Sequence, residues 1–360
     1  CCKISGEKPL KRTLILFFAL FCTSLMAEPV SGLYNGRVLV ADQTAQSRSK
    51  GVDQALEQVL IKLTGNSKIM QLPGIQQAVS NTNNFIASVG YTKLPPSPSE
   101  ELPGFALQVS FSAQAIDQLV RRAQLPILPT GRPTLVFWVV RDDAETGRQF
   151  VSEQVFPDFT QSFQQIMQDR AAPYQLPALD LEDQLSLSVN EAWSMREETI
   201  EVASQRYAAD GWAVLRFFTT TSGQVRGSWI YRLGDQRGFN DVRAESTEAF
   251  VGLAINDLVD SVSAQLTYIP QADTSKLVVQ INQVDSFTDY QAVLAQLQGL
   301  KLVRSSNVFA VEGDRLFVTV DIDGGVDLLI SALERSGSLV NQTSELARFS
   351  GNLEFDWMVE

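Results

Sequence analysis

The chain has 360 residues, of which 29 are basic and 41 acidic, giving a net charge of −12, and it contains no histidine and three cysteines. The lack of histidine excludes an imidazole metal site and a Ser-His-Asp triad. The acidic balance argues against nucleic-acid binding, which requires clustered lysine and arginine to displace counterions.

The first 27 residues have the pattern of a secretory signal peptide. Basic residues precede an apolar run at 14–21, and the small residue Ala27 comes just before a polar start. We therefore predict cleavage after Ala27 and an exported, periplasmic protein. Cys22 raises the alternative of a lipoprotein, but Phe21 stands where a lipobox has a small residue, so lipidation is not expected.

Removal of this leader changes the chemistry available to the protein. The mature chain has 25 basic and 40 acidic residues, a net charge of −15, because the leader carries four basic residues and one acidic residue. All three cysteines leave with it, so thiol nucleophiles and disulfides are excluded. We predict no cofactor, no metal site and no transmembrane segment, since the longest apolar stretch left is residues 135–140.

Residues 28–131 are predicted to form an α+β domain. Alternating residues at 36–41 indicate a strand, and apolar residues spaced by three and four indicate a helix at 44–64. Pro73-Gly74 restarts the chain for a second helix, a hairpin is expected from 91–94 and 105–111, and a third helix from 113–123. Residues 125–133 contain three prolines and a glycine, which favours a domain linker.

Residues 132–270 are predicted to form a central α/β sandwich. The apolar run at 134–140 has the length of a strand covered on both faces. Two helices precede a second buried strand at 212–218, and a meander of strands at 225–233 and 239–244 follows. A closing helix carries Phe250, Ala254, Leu258, Val262 and Leu266 on one side.

Residues 271–360 are predicted to form a ferredoxin-like βαββαβ domain. Strands are expected at 276–281, 300–311, 316–320 and 353–359, with helices at 287–297 and 326–333. Residues 321–327, DIDGGVD, resemble a calcium loop but lack its distal glutamate. A strand-to-helix turn, with Asp327 near the helix N-terminus, is the preferred interpretation.

Arg48 is the first candidate site residue, because the helical spacing puts it between Ala45 and Val52 on the apolar stripe. A buried guanidinium requires a partner. Asp42 or Thr44 should cap this helix, and Asp42 is the nearest carboxylate. We expect a buried structural clamp between Arg48 and Asp42, with recognition of an anionic group by Arg48 as the alternative.

Arg216 is the second candidate, since it interrupts the apolar strand at 212–218 on the face of Val214 and Phe218. An ion pair at the margin of the sheet is expected, and a ligand-binding arginine in a cleft is the alternative. Three tryptophans, Trp193, Trp212 and Trp229, could line a pocket, although a tryptophan-bearing core also explains them.

Several stretches resemble a known family. LYNGRVLVADQTAQSRSKGVDQALEQVLIKLTGN, LVFWVVRDD, LPALDLEDQLSLSVNEAW and ASQRYAADGWAVLRF are similar to an uncharacterised family of proteobacterial envelope proteins, domain of unknown function 2066. The first stretch also resembles the N-terminal domain of a periplasmic flagellar assembly protein, and the middle region resembles α/β domains of the TolB and curli-secretion type. The resemblance implies an exported Gram-negative protein and supplies no catalytic residue.

These observations predict a non-enzymatic periplasmic binding or assembly protein of the cell envelope, a scaffold with envelope protein partners. The alternative is a carboxylate-dependent hydrolase that uses Asp180, Glu182 and Asp183. That reaction requires the three carboxylates to converge in a pocket with a raised pKa.

Overall fold

The N-terminal part is a three-stranded antiparallel sheet covered by one long helix. A computed structural model describes residues 32–72, 75–79, 81–94, 104–270 and 275–358. The elements are β1 (Asn35–Val40), α1 (Ala45–Thr64), the short α2 (Ile75–Ala78), β2 (Ile86–Lys93), β3 (Phe105–Phe111) and α3 (Ala113–Arg122). The strand order is β1-β3-β2. The expected β2–β3 hairpin is confirmed, and Gly65 ends α1 in the left-handed conformation, with φ of 68°.

The central part is a mixed sheet between two helical layers, as the sandwich prediction required. Its elements are β4 (Leu135–Asp143), β5 (Gly147–Phe150), α4 (Pro157–Asp169), β6 (Tyr174–Gln175), α5 (Leu181–Ser186), α6 (Val189–Trp193), α7 (Glu197–Ser204), β7 (Gly211–Thr219), β8 (Val225–Leu233), β9 (Gln236–Ala244) and α8 (Thr247–Leu266). The order is β5-β4-β7-β8-β9, with β6 also paired to β4. β4 runs parallel to β6 and β7, and the other pairs are antiparallel.

Alternate residues of β4 and β7 explain the two helical layers. Phe137 and Leu215 pack with α4 and α8 on one face, whereas Trp138 and Val214 pack beneath α5–α7 on the other. Both faces are buried, so these two strands are apolar along most of their length. Trp212 and Trp229 are buried in the core, as the second interpretation of the tryptophans expected.

The C-terminal part contains the split βαβ arrangement of the predicted ferredoxin-like unit, but it departs from that unit at its last strand, which runs parallel to the first strand and follows an additional strand and helix. Its elements are β10 (Ser275–Asn282), α9 (Phe287–Gly299), β11 (Val303–Glu312), β12 (Arg315–Ile322), α10 (Val326–Glu334), β13 (Leu339–Asn341), α11 (Glu345–Phe349) and β14 (Asn352–Trp357). The order β11-β12-β10-β14-β13 contains the split βαβ arrangement, with β10 and β14 parallel, and adds β13 at one edge.

The segment 125–133, predicted to be an exposed linker, is instead packed inside the molecule. Leu125, Ile127 and Leu128 are buried, and Ile127 forms an antiparallel bridge with Tyr268. Leu128 N–H also donates to the Leu63 carbonyl at the end of α1. The prolines of this segment therefore stiffen a buried connection and do not mark a flexible one. Residues 271–274, at the predicted boundary between the central and C-terminal domains, lie outside the described part.

The N-terminal and C-terminal sheets share one hydrophobic core. Buried residues of α1, β1 and β3 form a single cluster with those of β10, β12 and β14, whereas the central sheet has a separate core on each face. Ion pairs reinforce the shared core, because Asp323, at the end of β12, is fully buried and meets Arg121 of α3 and Arg304 of β11. The DIDGGVD stretch is thus the strand-to-helix turn that was preferred over a calcium loop, and Asp327 pairs with Arg348.

Within the described ranges, none of the helices combines the length and the apolar character that crossing a membrane requires.

Candidate functional site

A large concave site lies between the central sheet and the C-terminal unit, with a volume of about 860 Å³. We call it the central groove. One wall comes from the end of α4, the chain leading to β6 and the buried connection, and the other comes from α9 and the end of α10. Its lining includes Thr130, Gly131, Thr134, Met167, Gln168, Ala171, Ala172, Pro173, Tyr174, Ala292, Ala295, Gln296, Gly299, Leu300, Ala332, Arg335, Ser336 and Trp357.

The groove exists because α9 presents small residues toward it. Val293 and Leu297 of this helix are buried in the core, and Ala292, Ala295 and Gly299 lie on the adjacent flank. Small side chains leave space against α4 where longer ones would fill it. Most of the lining is apolar, which is the usual character of a small-molecule site, and a boundary between structural units is a usual position for one.

Two arginines line the groove, and Arg335 differs from Arg132 because Arg132 donates to backbone carbonyls. Arg335 follows α10 directly and occupies its C-cap, where a cation interacts favourably with the helix dipole. Its Nε and one Nη are buried, and no residue in the described part of the chain accepts a hydrogen bond from either atom. Burial lowers the pKa of Arg335, and the carboxylates of Asp210 and Glu334 oppose that shift from beyond ion-pair distance.

An unpaired guanidinium in a concave, mostly apolar site is expensive. A buried cation without a counter-charge costs several kcal/mol, and an anionic oxygen placed beside it removes much of that cost. The groove therefore has the chemistry to hold a molecule with an apolar body and one anionic group. Arg335 was not among the residues that the sequence singled out.

Comparison with known proteins gives one family match. A family model described as a domain of unknown function, DUF8605, matches residues 27–129. The match spans β1 to α3 and ends inside the buried connection, so it covers less than a third of the chain and none of α9 or α10. No curated protein matches the chain.

A solved structure described as "Crystal structure of uncharacterized protein" matches 38% of this chain and 89% of its own, with 9% sequence identity and a TM-score of 0.15. A likeness at that score carries no argument about the fold. Neither comparison bears on the resemblance to domain of unknown function 2066, which stays a prediction.

The prediction that Arg48 is buried was wrong. Arg48 is exposed, and its side chain makes no hydrogen bond or ion pair with any residue that the structure describes. The buried stripe of α1 begins at Gly51, because the first turns of the helix extend beyond the sheet beneath them. Asp42 is also exposed and accepts bonds from Thr44 N–H at 3.0 Å and Thr44 Oγ1–H at 2.7 Å. Thr44 is the N-cap of α1, which agrees with the expectation that Asp42 or Thr44 caps this helix.

The buried arginine clamp lies at the other end of α1 and uses Arg132 and Arg170. Arg132, 7% exposed, donates to the Arg170 and Ala171 carbonyls, both at 2.7 Å, and to the Lys62 carbonyl. Arg170, 4% exposed, donates to the Gly65 carbonyl at 2.6 Å and pairs with Asp260 at 2.5 Å. Because the last carbonyls of a helix lack internal partners, two cations placed there satisfy them and join α1 to the central sheet.

Arg216 does not form the expected ion pair. Its guanidinium donates to the Trp193 carbonyl at 2.5 Å and lies 5.5 Å from the centroid of the Trp193 ring. Both residues line a shallow depression of about 270 Å³ at one end of the central sheet. Arg216 therefore lies at a cleft, which is the position expected if it were a ligand-binding arginine.

The three carboxylates of the hydrolase alternative do converge, but on an arginine. Arg206 meets Asp180 at 2.7 Å, Asp183 at 2.8 Å and Glu182 at 3.4 Å. Hydrogen bonding to Arg206 lowers the pKa of Asp180 to about 2. General acid catalysis requires a raised pKa. Asp180 also caps α5 and the Tyr207 hydroxyl donates to Asp183, so this cluster serves to hold the loop before α5.

A second cluster of titratable groups lies where the N-terminal and C-terminal sheets meet. Tyr34 O–H donates to Asp117 at 2.5 Å, and Lys301 lies 3.6 Å from the same carboxylate oxygen and 4.1 Å from the Tyr34 ring centroid. Burial raises the pKa of Asp117 to about 6 and lowers that of Lys301 to about 8. Burial thus moves both members of the pair toward their neutral forms.

A signal for the central groove was present in the sequence. Residues 290–299, YQAVLAQLQG, form most of α9 and contain no charged side chain. A helix with one solvent-facing side normally carries charges there. An uncharged outer flank of alanine and glutamine indicates that this side of α9 faces another part of the protein. Only the tertiary arrangement shows that the flank forms one wall of a groove.

Proposed function

We propose that this protein is an exported, non-enzymatic binding protein of the bacterial envelope, and that the central groove binds a small amphiphile with one anionic group. The observation that carries the proposal is the guanidinium of Arg335, which is half-buried in the groove and has two buried nitrogen atoms without a hydrogen-bond acceptor among the described residues. The anionic group of the ligand would supply that acceptor, and its apolar body would lie along Ala292, Ala295 and Met167.

A small amphiphile suits this site better than a peptide segment. A bound peptide would bring a row of backbone N–H and C=O groups, each of which is costly to bury without a partner. The α9 wall offers mainly alanine and glycine side chains, with Gln296 as its polar group in the lining. The volume of about 860 Å³ lies within the range of small-molecule sites. Envelope protein partners remain a separate prediction.

Export rests on the leader pattern of residues 1–27. Mass spectrometry of the periplasmic fraction of a Gram-negative host should find Glu28 as the mature N-terminus. An acylated Cys22, or retention of the leader in the cytoplasm, would contradict this part of the proposal.

Binding can be tested with dodecanoate, which has an apolar chain and one carboxylate. Isothermal titration of the chain starting at Glu28 should give one site. Arg335→Gln should weaken binding about tenfold or more, because a charge-assisted hydrogen bond is lost while the apolar groove remains. Arg348→Gln is the matched control, since Arg348 pairs with Asp327 of α10 and does not line the groove.

A second variant separates the groove from the charge. Ala295→Trp should fill part of the groove and abolish dodecanoate binding with Arg335 intact. If Arg335→Gln and Arg348→Gln bind equally well, or Ala295→Trp binds like the unchanged protein, the groove is not the site.

A further inference from the structure

A second feature, independent of the central groove, lies on the face of the central sheet that α5–α7 cover. These helices bury Trp138, Val214 and Ile230, and their cover ends at Trp193. Beyond that point the ends of β7, β8 and β9 are open, and they line the depression of about 270 Å³ introduced with Arg216. We call it the sheet-end depression.

On this face of the sheet, the facing residues of β8 and β9 are two arginines at each end of the strand pair. In register along this face the pairs are Arg226 with Arg243, Ser228 with Asp241, Ile230 with Phe239 and Arg232 with Arg237. Residues directly opposite on antiparallel strands have Cβ atoms about 5 Å apart, so like charges there repel. An arginine pair thus occurs at each end.

One of these two arginine pairs has an internal counter-ion and the other lacks one. Glu197, at the start of α7, lies 3.9 Å from Arg232 and 3.6 Å from Arg237. The exposed side chains of Arg226 and Arg243, in contrast, make no ion pair or hydrogen bond with any residue in the described ranges, and both residues line the depression. Asp241, the nearest carboxylate on β9, accepts the Ser228 hydroxyl at 2.7 Å.

Two more arginines extend the positive surface. Arg216 lines the depression and donates to the Trp193 carbonyl, and Arg148 lies 4.7 Å from the centroid of the same tryptophan ring. Arg148 is offset by Asp142, at 3.2 Å. Arg216, Arg226 and Arg243 therefore leave an excess of positive charge in a protein whose net charge is −12.

We infer that the sheet-end depression binds the phosphate group of a soluble phosphorylated compound. The phosphate would lie between Arg226 and Arg243, just as the Glu197 carboxylate lies between Arg232 and Arg237. Planar guanidinium groups match tetrahedral oxyanions through paired hydrogen bonds. More than one positive charge favours a dianion over a single carboxylate. The acidic chain repels an anionic membrane surface, so a soluble ligand is favoured over a lipid head group.

Pyrophosphate is a suitable probe for isothermal titration at low salt with the chain starting at Glu28. One site is expected, and Arg226→Gln and Arg243→Gln should each weaken binding about tenfold or more. Arg237→Gln is the matched control, because it changes the arginine pair that Glu197 already neutralises, and it should bind like the unchanged protein. Melting temperatures within a few degrees of each other would show that all variants fold.

Glu197→Gln supplies a gain-of-binding test. Removing this carboxylate frees Arg232 and Arg237, so a second pyrophosphate site should appear and the stoichiometry should rise from one to two. Absence of pyrophosphate binding at millimolar concentration, equal weakening by Arg237→Gln, or binding only to vesicles of phosphatidylglycerol and phosphatidylcholine would each overturn the inference.

Discussion

The ion pair between Arg170 and Asp260 should dominate the stability of the junction between α1 and the central sheet. Arg170 is 4% exposed, so Asp260→Ala leaves a buried cation whose remaining acceptors are the Gly65 carbonyl and Asn256. Removing one partner of a buried pair costs about 3–5 kcal/mol. Because two neutral acceptors remain, we expect the lower end, about 3 kcal/mol.

The reverse change should cost less. In Arg170→Met the carboxylate of Asp260 keeps its two bonds from Ser67 and its side chain is 25% exposed, so it stays solvated. Methionine also replaces the apolar stem of the arginine. The remaining cost is the loss of the hydrogen-bond donor to the Gly65 carbonyl and to the Asn256 side-chain oxygen, about 1–2 kcal/mol. The double variant also loses the two bonds from Ser67, but it should cost less than the sum of the two single changes, since no charge is then left unpaired.

Differential scanning calorimetry of the four proteins measures this asymmetry. A loss of 3 kcal/mol corresponds to a drop of about 6–12 °C for a unit of this size. Glu248→Ala on the same helix, α8, is the control and should cost less than about 1 kcal/mol. If the two single changes cost the same and add in the double variant, Arg170 and Asp260 are not coupled and the reasoning fails.

Gly65→Ala should destabilise the same junction by about 1 kcal/mol or more, because φ is 68° and the new Cβ would lie 2.5 Å from Ser263 Cβ. Urea unfolding measures this loss of stability, and an unchanged midpoint would contradict the prediction. Because the pKa of Asp117 is raised above its unfolded value, its charge destabilises the fold above about pH 6. Stability should thus rise as pH falls from 7 to 5, and Asp117→Asn should abolish this contribution in melts across that range. Arg48→Ala should change stability by less than about 0.5 kcal/mol, since Arg48 is exposed and unpartnered within the described ranges, and a larger loss would restore the clamp. Proteinase K, which cleaves after many residue types, should spare residues 125–133, where Leu125, Ile127 and Leu128 are buried, and early cleavage there would contradict the buried connection.

The order of helices and strands could be predicted from local patterns because those patterns record burial directly. The continuous apolar run of β4 reflects cover on both faces. The βαββαβ pattern indicated the split βαβ arrangement of the C-terminal part, but it missed β13 and α11 and therefore the direction of the last strand. The short elements α5, α6 and β6 were missed, since each is too brief to show a period.

The burial of the arginines could not be predicted from local sequence patterns. Helical spacing put Arg48 on the stripe of α1, but spacing cannot say where the sheet beneath a helix ends. Arg132 and Arg170 are buried by segments distant in sequence, namely the end of α1 and residues 256–260 of α8. No local pattern therefore marks these two arginines as buried. Arg335 likewise becomes a candidate only when α9, α10 and the end of α4 enclose it.

A crystal structure of the protein with ω-bromododecanoate tests the central groove most directly, because anomalous scattering from bromine locates the chain end. The account predicts the carboxylate at about 2.7–2.9 Å from the guanidinium of Arg335 and the bromine between α9 and α4. Bromine at any other place in the protein, with an empty central groove, would contradict the account.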